Sequence, residues 1–575
     1  MAVQICTVIL LDFLKVITMY NKFSYPLKRT PYNSALLKTV EQVANKLYYE
    51  PINALSYNHL ELFDSVGSRV EYEKEYMTHR KMLCAFSVMA FLNEDGKWLL
   101  KLYDILWAIC DEFTWALPAH FHAKEDAESI VTIIDLFAAE TAFAISEIYH
   151  IIEDILPKRL KSRIRYEIKR RIVTPYLSKE LLWGPSNWSG VCSSGVIASM
   201  IYLGFDLEFS EAKSRLLTNI DDFLQSFTDD GCCLEGTLYW NYGFSHFCAA
   251  AELIRQYTDE KINYFNDEKV KKIAYFGQNM YLRENYIVSF SDSPHTDKYN
   301  CGLYSLLSEK YDGIAAPDLK YQSVFGDDVR YRFINLIRNL YWANANLKLT
   351  ENNNVVFYDK AAWYLNKQNS YCFAAKGGHN EEPHNHNDIG SFLVFDDNKY
   401  IIDDPGWPQY DKKYFSEERY ENICASSLGH SIPIICDTAQ KDGIDHYSEI
   451  LKADDTTFEL EFSKAYTCDN LSSLKRKFTL SNKELLIEDT FIGNCVNIKE
   501  RFISQLEPKI INDKVIIGNY EFTCSLPAKI ELSSFSFIPR FSGLDGNEDF
   551  KDIRYIIDFK IENGENVIFK LKKLT

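Results

Sequence analysis

The chain has 575 residues and a mass of 66.8 kDa, too much for one ordinary hydrophobic core, so at least two domains are expected. Apolar residues at 46% and charged residues at 25% are the balance of a folded soluble protein and exclude a disordered chain. The formal charge of −18 argues against nucleic acid as the main partner, because phosphate binding needs a basic face.

The first segment, MAVQICTVILLDFLKVITMYNKF, is apolar but lacks a basic leading region, and Asp12 interrupts it. It predicts an amphipathic helix rather than a signal peptide, and no other stretch predicts a membrane span. None of the 14 cysteines forms a CxxC pair, and Cys232 and Cys233 are adjacent. Neither a disulfide framework nor a zinc ribbon is expected, and reduced thiols in a cytoplasmic protein are the simplest reading.

Up to about residue 335, apolar residues recur at three- and four-residue intervals. Examples are SALLKTVEQVANKLYY (34–49), AESIVTIIDLFAAETAFAISEIYHIIEDIL (127–156) and EAKSRLLTNIDDFLQSF (211–227). Successive helices of similar length, with short connections and no strand signal between them, predict a stacked helix-pair array or toroid. One run in this part, PKRLKSRIRYEIKRR (157–171), is strongly basic. Its Leu160, Ile164 and Ile168 fall at four-residue spacing, which predicts a helix with a solvated charged face.

Beyond about residue 340 the pattern changes to alternating or β-branched runs. They are NVVFYDK, SFLVFDDNKYIID, TTFELEFSKAY, KRKFTLSNKELLIEDTFI and RYIIDFKIENGENVIFKLKKL, with Asn and Gly in the gaps. Many closely spaced strands predict stacked antiparallel sheets. The expected division is a helical domain over 1–335 and a β domain over 336–575. Aromatic residues are 14% of the chain, which suits sugar stacking as well as core filling.

The stretch HNEEPHNHNDIGSF (379–392) places three of the twelve histidines within eight positions. If the strand SFLVF extends back through it, His384 and His386 share a face. A hairpin turning at DDNK then brings Asp404 near His386, and His430 opens another apolar strand. Two imidazoles and a carboxylate suit zinc, with a further position left to water or another side chain. A hydrogen-bonded polar cluster at a domain interface is the equal alternative.

Four motifs occur together: GGHNEEPHNHNDIGSFLVFDDNKYIIDDPGWPQY, GHSIP with Gln440 ten residues after its histidine, SNWSGVCSSG (186–195) and DDGCCLEGTLYWNYG (229–243). From about residue 80 onward, the chain resembles the heparinase II/III-like polysaccharide lyases. The resemblance implies an N-terminal incomplete α/α toroid followed by a C-terminal antiparallel β-sandwich. It implies one structural metal ion, zinc-like, on His386, Asp404 and His430, with Asp403 the alternative carboxylate. It implies Tyr242 as catalytic base and acid, and Asn187 and His384 as the groups that neutralise a substrate carboxylate. Trp188 stands where certain alginate-cleaving members have histidine, which disfavours alginate.

The chemistry matches these residue types. A uronate lyase removes a weakly acidic proton beside a carboxylate, so an amide and an imidazole must stabilise the developing charge. A tyrosine needs a positive surrounding to act as base, and can then return its proton to the leaving oxygen. Trp188, Tyr239, Glu235 and His379 are expected at the substrate; Glu235 would instead be the general acid of a glycoside hydrolase. Trp115 and His120, in TWALPAHF, either line the cleft or pack in an interhelical turn. The expected partner is an acidic polysaccharide or oligosaccharide containing uronate, with neither nucleic acid nor membrane. The alternatives are a glycoside hydrolase on a toroid and a non-catalytic glycan-binding homologue.

Overall fold

A computed structural model describes residues 30–92, 96–121, 124–344, 354–494, 497–540, 550–561 and 565–574. The N-terminal segment 1–23, read above as an amphipathic helix, lies outside them. The chain forms two compact units that interleave along the sequence. One comprises Met1–Ser226, Asn241–Lys271 and Lys298–Leu349; the other comprises Phe227–Trp240, Lys272–Asp297 and Thr350–Thr575.

The first unit is an incomplete α/α toroid. Its helices include Val70–Leu92, Lys97–Asp111, Leu136–Ile152, Lys158–Ile168, Asn187–Tyr202, Asp206–Gln225 and Phe333–Tyr341. The long apolar run at 127–156 is two helices, Ala127–Val131 and Leu136–Ile152, because Asp135 caps the second. Its carboxylate accepts from the Ala138 amide at 2.7 Å, which satisfies a helix-end donor and stops the helix from continuing backward. In the basic run, Leu160, Ile164 and Ile168 are buried as their spacing requires. That helix continues through a π turn, Lys169–Val173, into Thr174–Ser178.

Helices Leu136–Ile152 and Asn187–Tyr202 pack through small residues. Ala139, Ala142, Ser146 and Ser199 are fully buried, and a Cβ placed on Gly195 would lie 2.4 Å from the Ala139 carbonyl oxygen. The small residues of SNWSGVCSSG are therefore the condition for two backbones to approach this closely.

The second unit is an antiparallel β-sandwich. A five-stranded meander runs Val355–Tyr358, Trp363–Asn366, Cys372–Lys376, Phe392–Asp396 and Lys399–Ile402. An eight-stranded sheet is built around Leu471–Ser481 and Glu484–Gly493, and a four-stranded sheet around Ile498–Ser504 and Asp552–Ile561. Phe373, Phe392, Phe478, Ile487, Phe502 and Phe559 from these sheets meet in one core. Burial alternates along Leu471–Ser481 and Glu484–Gly493, as a half-buried sheet demands. The turn at DDNK is a tight hairpin, with Asp397 and Asn398 both at positive φ (49° and 57°) between paired Asp396 and Lys399.

Two features depart from the sequence reading. A short hairpin, Tyr281–Arg283 with Tyr286–Ile287, lies in the stretch that showed no strand signal; strands this short are below what periodicity detects. Residues 381–391 are not extended, and His384 has φ 57°, so the strand does not reach back through the histidines. No helix among the described residues is long and apolar enough to cross a membrane.

Gly195→Ala is expected to destabilise the protein by at least about 1 kcal/mol, because the added methyl meets rigid backbone rather than a movable side chain. Thermal unfolding compared with the unsubstituted protein checks this, and an unchanged midpoint would contradict the close-packing account.

Candidate active site

The expected site residues fall into two groups, one within each unit. In the helical unit, Asn187 is the first residue of its helix and is 5% exposed. Its Oδ1 is buried without a hydrogen-bond partner. A Cβ on Gly243 would lie 1.8 Å from that oxygen, so only glycine at the end of YWNYG leaves room for the amide. The neighbouring Tyr242 donates its hydroxyl to Glu140 Oε1 at 2.5 Å. Arg332 donates to the same carboxylate oxygen at 3.1 Å and stands 4.2 Å from the centre of the Tyr242 ring. Burial and then Glu140 push the Tyr242 phenol well above its ordinary pKa, while Arg332 pulls the other way.

In the β unit, His384 and His386 point to one buried carboxylate, Asp292. His384 Nδ1 lies 2.7 Å from Oδ2, and His386 Nε2 lies 3.2 Å from Oδ1. Tyr410 and Tyr414 donate their hydroxyls to Asp292 at 2.6 Å each, and Arg419 stands 3.5 Å away. Burial favours the neutral acid, but the bonds from His384 and His386 with the Arg419 charge outweigh it, so the Asp292 carboxyl sits well below its ordinary pKa. The Tyr239 ring stacks on His384 at 4.2 Å, and Glu235 Oε2 is 3.6 Å from His384 Nε2. With Nδ1 engaged by Asp292, Nε2 is the imidazole edge left for a ligand.

His386, Asp404 and His430 are all buried, and one ligand atom from each lies within 4.8 Å of the others. His430 Nε2–H donates to the Cys424 carbonyl at 2.8 Å, which leaves the lone pair of Nδ1 facing Asp404 Oδ2 at 3.1 Å. Two acceptors this close need a positive charge between them, either a proton or a metal ion. His386 repeats the arrangement: Nε2–H goes to Asp292, and Nδ1 is buried without a hydrogen-bond partner. Imidazoles oriented by an outer carboxylate or carbonyl, with the inner nitrogen free, are the arrangement that metal ligands adopt. The three residues therefore fit a divalent cation. Asp403 does not belong to the group: it pairs with Arg554 and accepts from His295 Nε2 at 2.8 Å.

Buried Arg476 holds the loops that carry His386 and His430. It pairs with Asp489 at 2.8 and 2.6 Å, and donates to the carbonyls of Gly390 (2.9 Å) and Ser431 (2.8 Å). Gln440 adds a clip, accepting from the Ile389 amide at 3.1 Å and donating to its carbonyl at 2.7 Å.

The remaining expected residues are placed as follows. Trp115 is 1% exposed and donates its indole N–H to Ile109 at 2.9 Å, so the packed reading describes it. His120 is held by Asp135 at 2.6 Å and lies edge-on to Trp188, with ring centres 5.0 Å apart. His379 lies on the short strand His379–Asn380, outside the Asp292 cluster, and its Nδ1 accepts from the Glu381 amide at 3.2 Å. Asp292, Glu140, Arg332, Tyr410, Tyr414 and Arg419 escaped the sequence reading. The tyrosine-rich stretch YDKKYFSEERY was the one visible signal; a lone Asp in SFSDSPHTD carries none.

No protein-family model matches the chain, and no curated protein is significantly similar to it. Solved structures are similar in fold. Heparinase III superposes with a TM-score of 0.65 at 13% identity, over 98% of this chain and 88% of that one. Heparan sulfate lyase HepC from Pedobacter heparinus gives 0.60 at 13% identity, over 99% and 88%. Chondroitin AC lyase from Streptomyces coelicolor A3, in complex with chondroitin sulphate, gives 0.54 at 8% identity, over 99% and 82%. At these identities the likeness is one of fold, and it agrees with the toroid and sandwich described above.

Glu382, two residues before His384, is buried, and its Oε2 has no hydrogen-bond partner. Lys376 is already committed to Asp388 at 2.7 Å. Burial pushes the Glu382 carboxyl up to about 7, with Lys376 opposing and Asp388 assisting. A carboxyl raised on folding is neutral in both states below its unfolded pKa, so its cost appears only as pH rises. Stability is expected to fall between about pH 4.5 and pH 7 from this group. Glu382→Gln should remove that component, so its melting advantage over the unsubstituted protein should grow from pH 5 to pH 8. A difference that stays constant across this range would refute the assignment.

Proposed function

We propose that this chain is a polysaccharide lyase that cleaves uronate-containing glycans by β-elimination. The observation that supports this reading best is the Tyr242–Glu140–Arg332 arrangement beside Asn187: a phenol with a proton acceptor on one side and a fixed cation on its ring. Such a phenol has an acceptor for its proton and a cation that opposes the charge left behind. The structural neighbours support the same reading, since several are lyases of acidic glycans by name.

In the proposed reaction, Tyr242 passes its proton to Glu140, and Arg332 holds the phenolate charge. The phenolate removes the uronate C5 proton, and the C5 electron pair forms the C4–C5 double bond as the C4–O bond breaks. Tyr242–OH then protonates the leaving oxygen, and Glu140 returns its proton to the phenolate. The Asn187 amide N–H and the His384 ring oppose the charge that builds on the substrate carboxylate. For His384 to donate through Nε2 while Nδ1–H serves Asp292, the ring must carry both protons. Tyr239, Trp188 and His120 would each offer a ring to the sugar.

The metal assignment is part of the reading. We infer zinc on His386, Asp404 and His430, because two imidazoles and one carboxylate are its usual donors. When bound, it would supply charge and rigidity to the loops of His384 and His430; the proton transfers above are made by this chain's own side chains.

Two outcomes test these claims. Tyr242→Phe keeps the ring and should leave the fold intact while lowering turnover by at least about a hundredfold. The assay is the ultraviolet absorbance of the unsaturated product, on a panel of heparan sulfate, chondroitin, hyaluronan and pectic fragments. Reducing ends released without that absorbance would point to a hydrolase, and near-normal lyase rates in the variant would move the base elsewhere. Separately, elemental analysis should find one zinc per chain, absent from His386→Ala, and chelation should lower the melting temperature of the unsubstituted protein alone. Metal-free protein that stays metal-free after zinc addition would end the metal claim.

A further inference from the structure

The basic run that the sequence reading treated as a solvated helix face lines an open groove of the helical unit. This groove has a volume of about 860 Å³ and is walled by Arg165, Lys169, Arg170 and Lys179, with Glu128 the one carboxylate among its lining residues. In a chain of formal charge −18, four cations about one acid is a marked local reversal.

The helix geometry explains how they come together. Arg165 and Lys169 are four positions apart, Thr174 follows at five, and Ser178 at four more; all four residues line the groove. Tyr166, Arg170, Thr174 and Ser178 also line it at four-residue spacing, along a helix that passes through the π turn Lys169–Val173. The lining thus runs along roughly 20 Å of helix at the α-helical rise. That length and volume suit several sugar rings rather than a single anion.

Two of the cations are held by neutral partners. Lys179 donates to the Thr132 hydroxyl at 3.0 Å, and Arg165 donates to the Leu203 carbonyl while lying 4.7 Å from the Phe205 ring. Among the described residues neither makes an ion pair. Lys169 pairs with Glu208 at 3.1 Å and Arg170 with Glu167 at 2.6 Å. Tyr166, 60% exposed, offers an aromatic face at the rim. We propose that this groove is a second binding site for acidic oligosaccharide, separate from Asn187 and Tyr242, that retains the glycan against the protein's overall negative field. Cations and hydroxyls spaced along a helix beside an open tyrosine favour a sugar chain over a phosphate, which would call for clustered backbone amides. The inference rests on the lyase reading only for the identity of the glycan.

The test uses full-length Tyr242→Phe protein and a heparan sulfate octasaccharide. Binding should shield Lys169 and Lys179 from acetylation, read by mass spectrometry, and the shielding should fade with added salt. In the catalytically intact protein, K169Q/K179Q should raise KM for the polymer at least about fivefold and leave turnover of a tetrasaccharide unchanged. Absence of shielding, an unaltered KM, or stronger shielding by inorganic polyphosphate than by the octasaccharide would each overturn the proposal. Unsaturated product from the unsubstituted protein without shielding in the variant defeats the groove alone; shielding in the variant, with no product from the unsubstituted protein on any glycan of the panel, defeats the lyase reading and leaves the groove standing.

Discussion

Asp292 carries its negative charge with no solvent exposure, a placement that costs several kcal/mol unless donors surround it. Here they do: two imidazoles, two phenols and, at longer range, a guanidinium converge on its two oxygens. The rest of the β-unit site depends on this carboxylate. It sets which nitrogen of His384 faces outward and which nitrogen of His386 faces Asp404 and His430. It also explains how His384 keeps a left-handed backbone at φ 57°, since a strained residue persists only where its surroundings over-determine it.

Around that centre the sandwich supplies rigidity. Arg476 is fully buried and its charge is balanced by Asp489, while burial and then Asp489 push the neighbouring Glu500 carboxyl well above its ordinary pKa. Its remaining donors hold Gly390 and Ser431, one in the loop after the histidine cluster and one beside His430. A buried ion cluster of this kind contributes little net stability by itself. Its consequence is positional, because the loops of His386 and His430 hang on one guanidinium.

The helical unit solves a different problem with the same means. Glu140 joins Tyr242 to Arg332, so the phenol has an acceptor and a cation in fixed places. Gly243 leaves the space that Asn187 fills. Burial alone would make Tyr242 a poor base, and the cation on its ring is the opposing influence. Burial with Glu140 and the Arg332 cation thus act on one phenol in opposite directions.

Much of this was written in the sequence wherever a physical rule acts over a few neighbouring residues. The change from a helical to an alternating period, the hairpin at DDNK and the buried stripe Leu160, Ile164, Ile168 are all local consequences of side-chain spacing. The grouping of His386, Asp404 and His430 followed from a hairpin and a resemblance in motif. Tertiary structure decided what no spacing encodes. Asp403 and Asp404 are equivalent in sequence, and Arg554 with His295 takes the first while the second faces His430. Asp292 stands 92 positions before His384 and has no pattern of its own. A buried charge is recognised only by the donors that folding brings to it, and those donors come from distant parts of the chain.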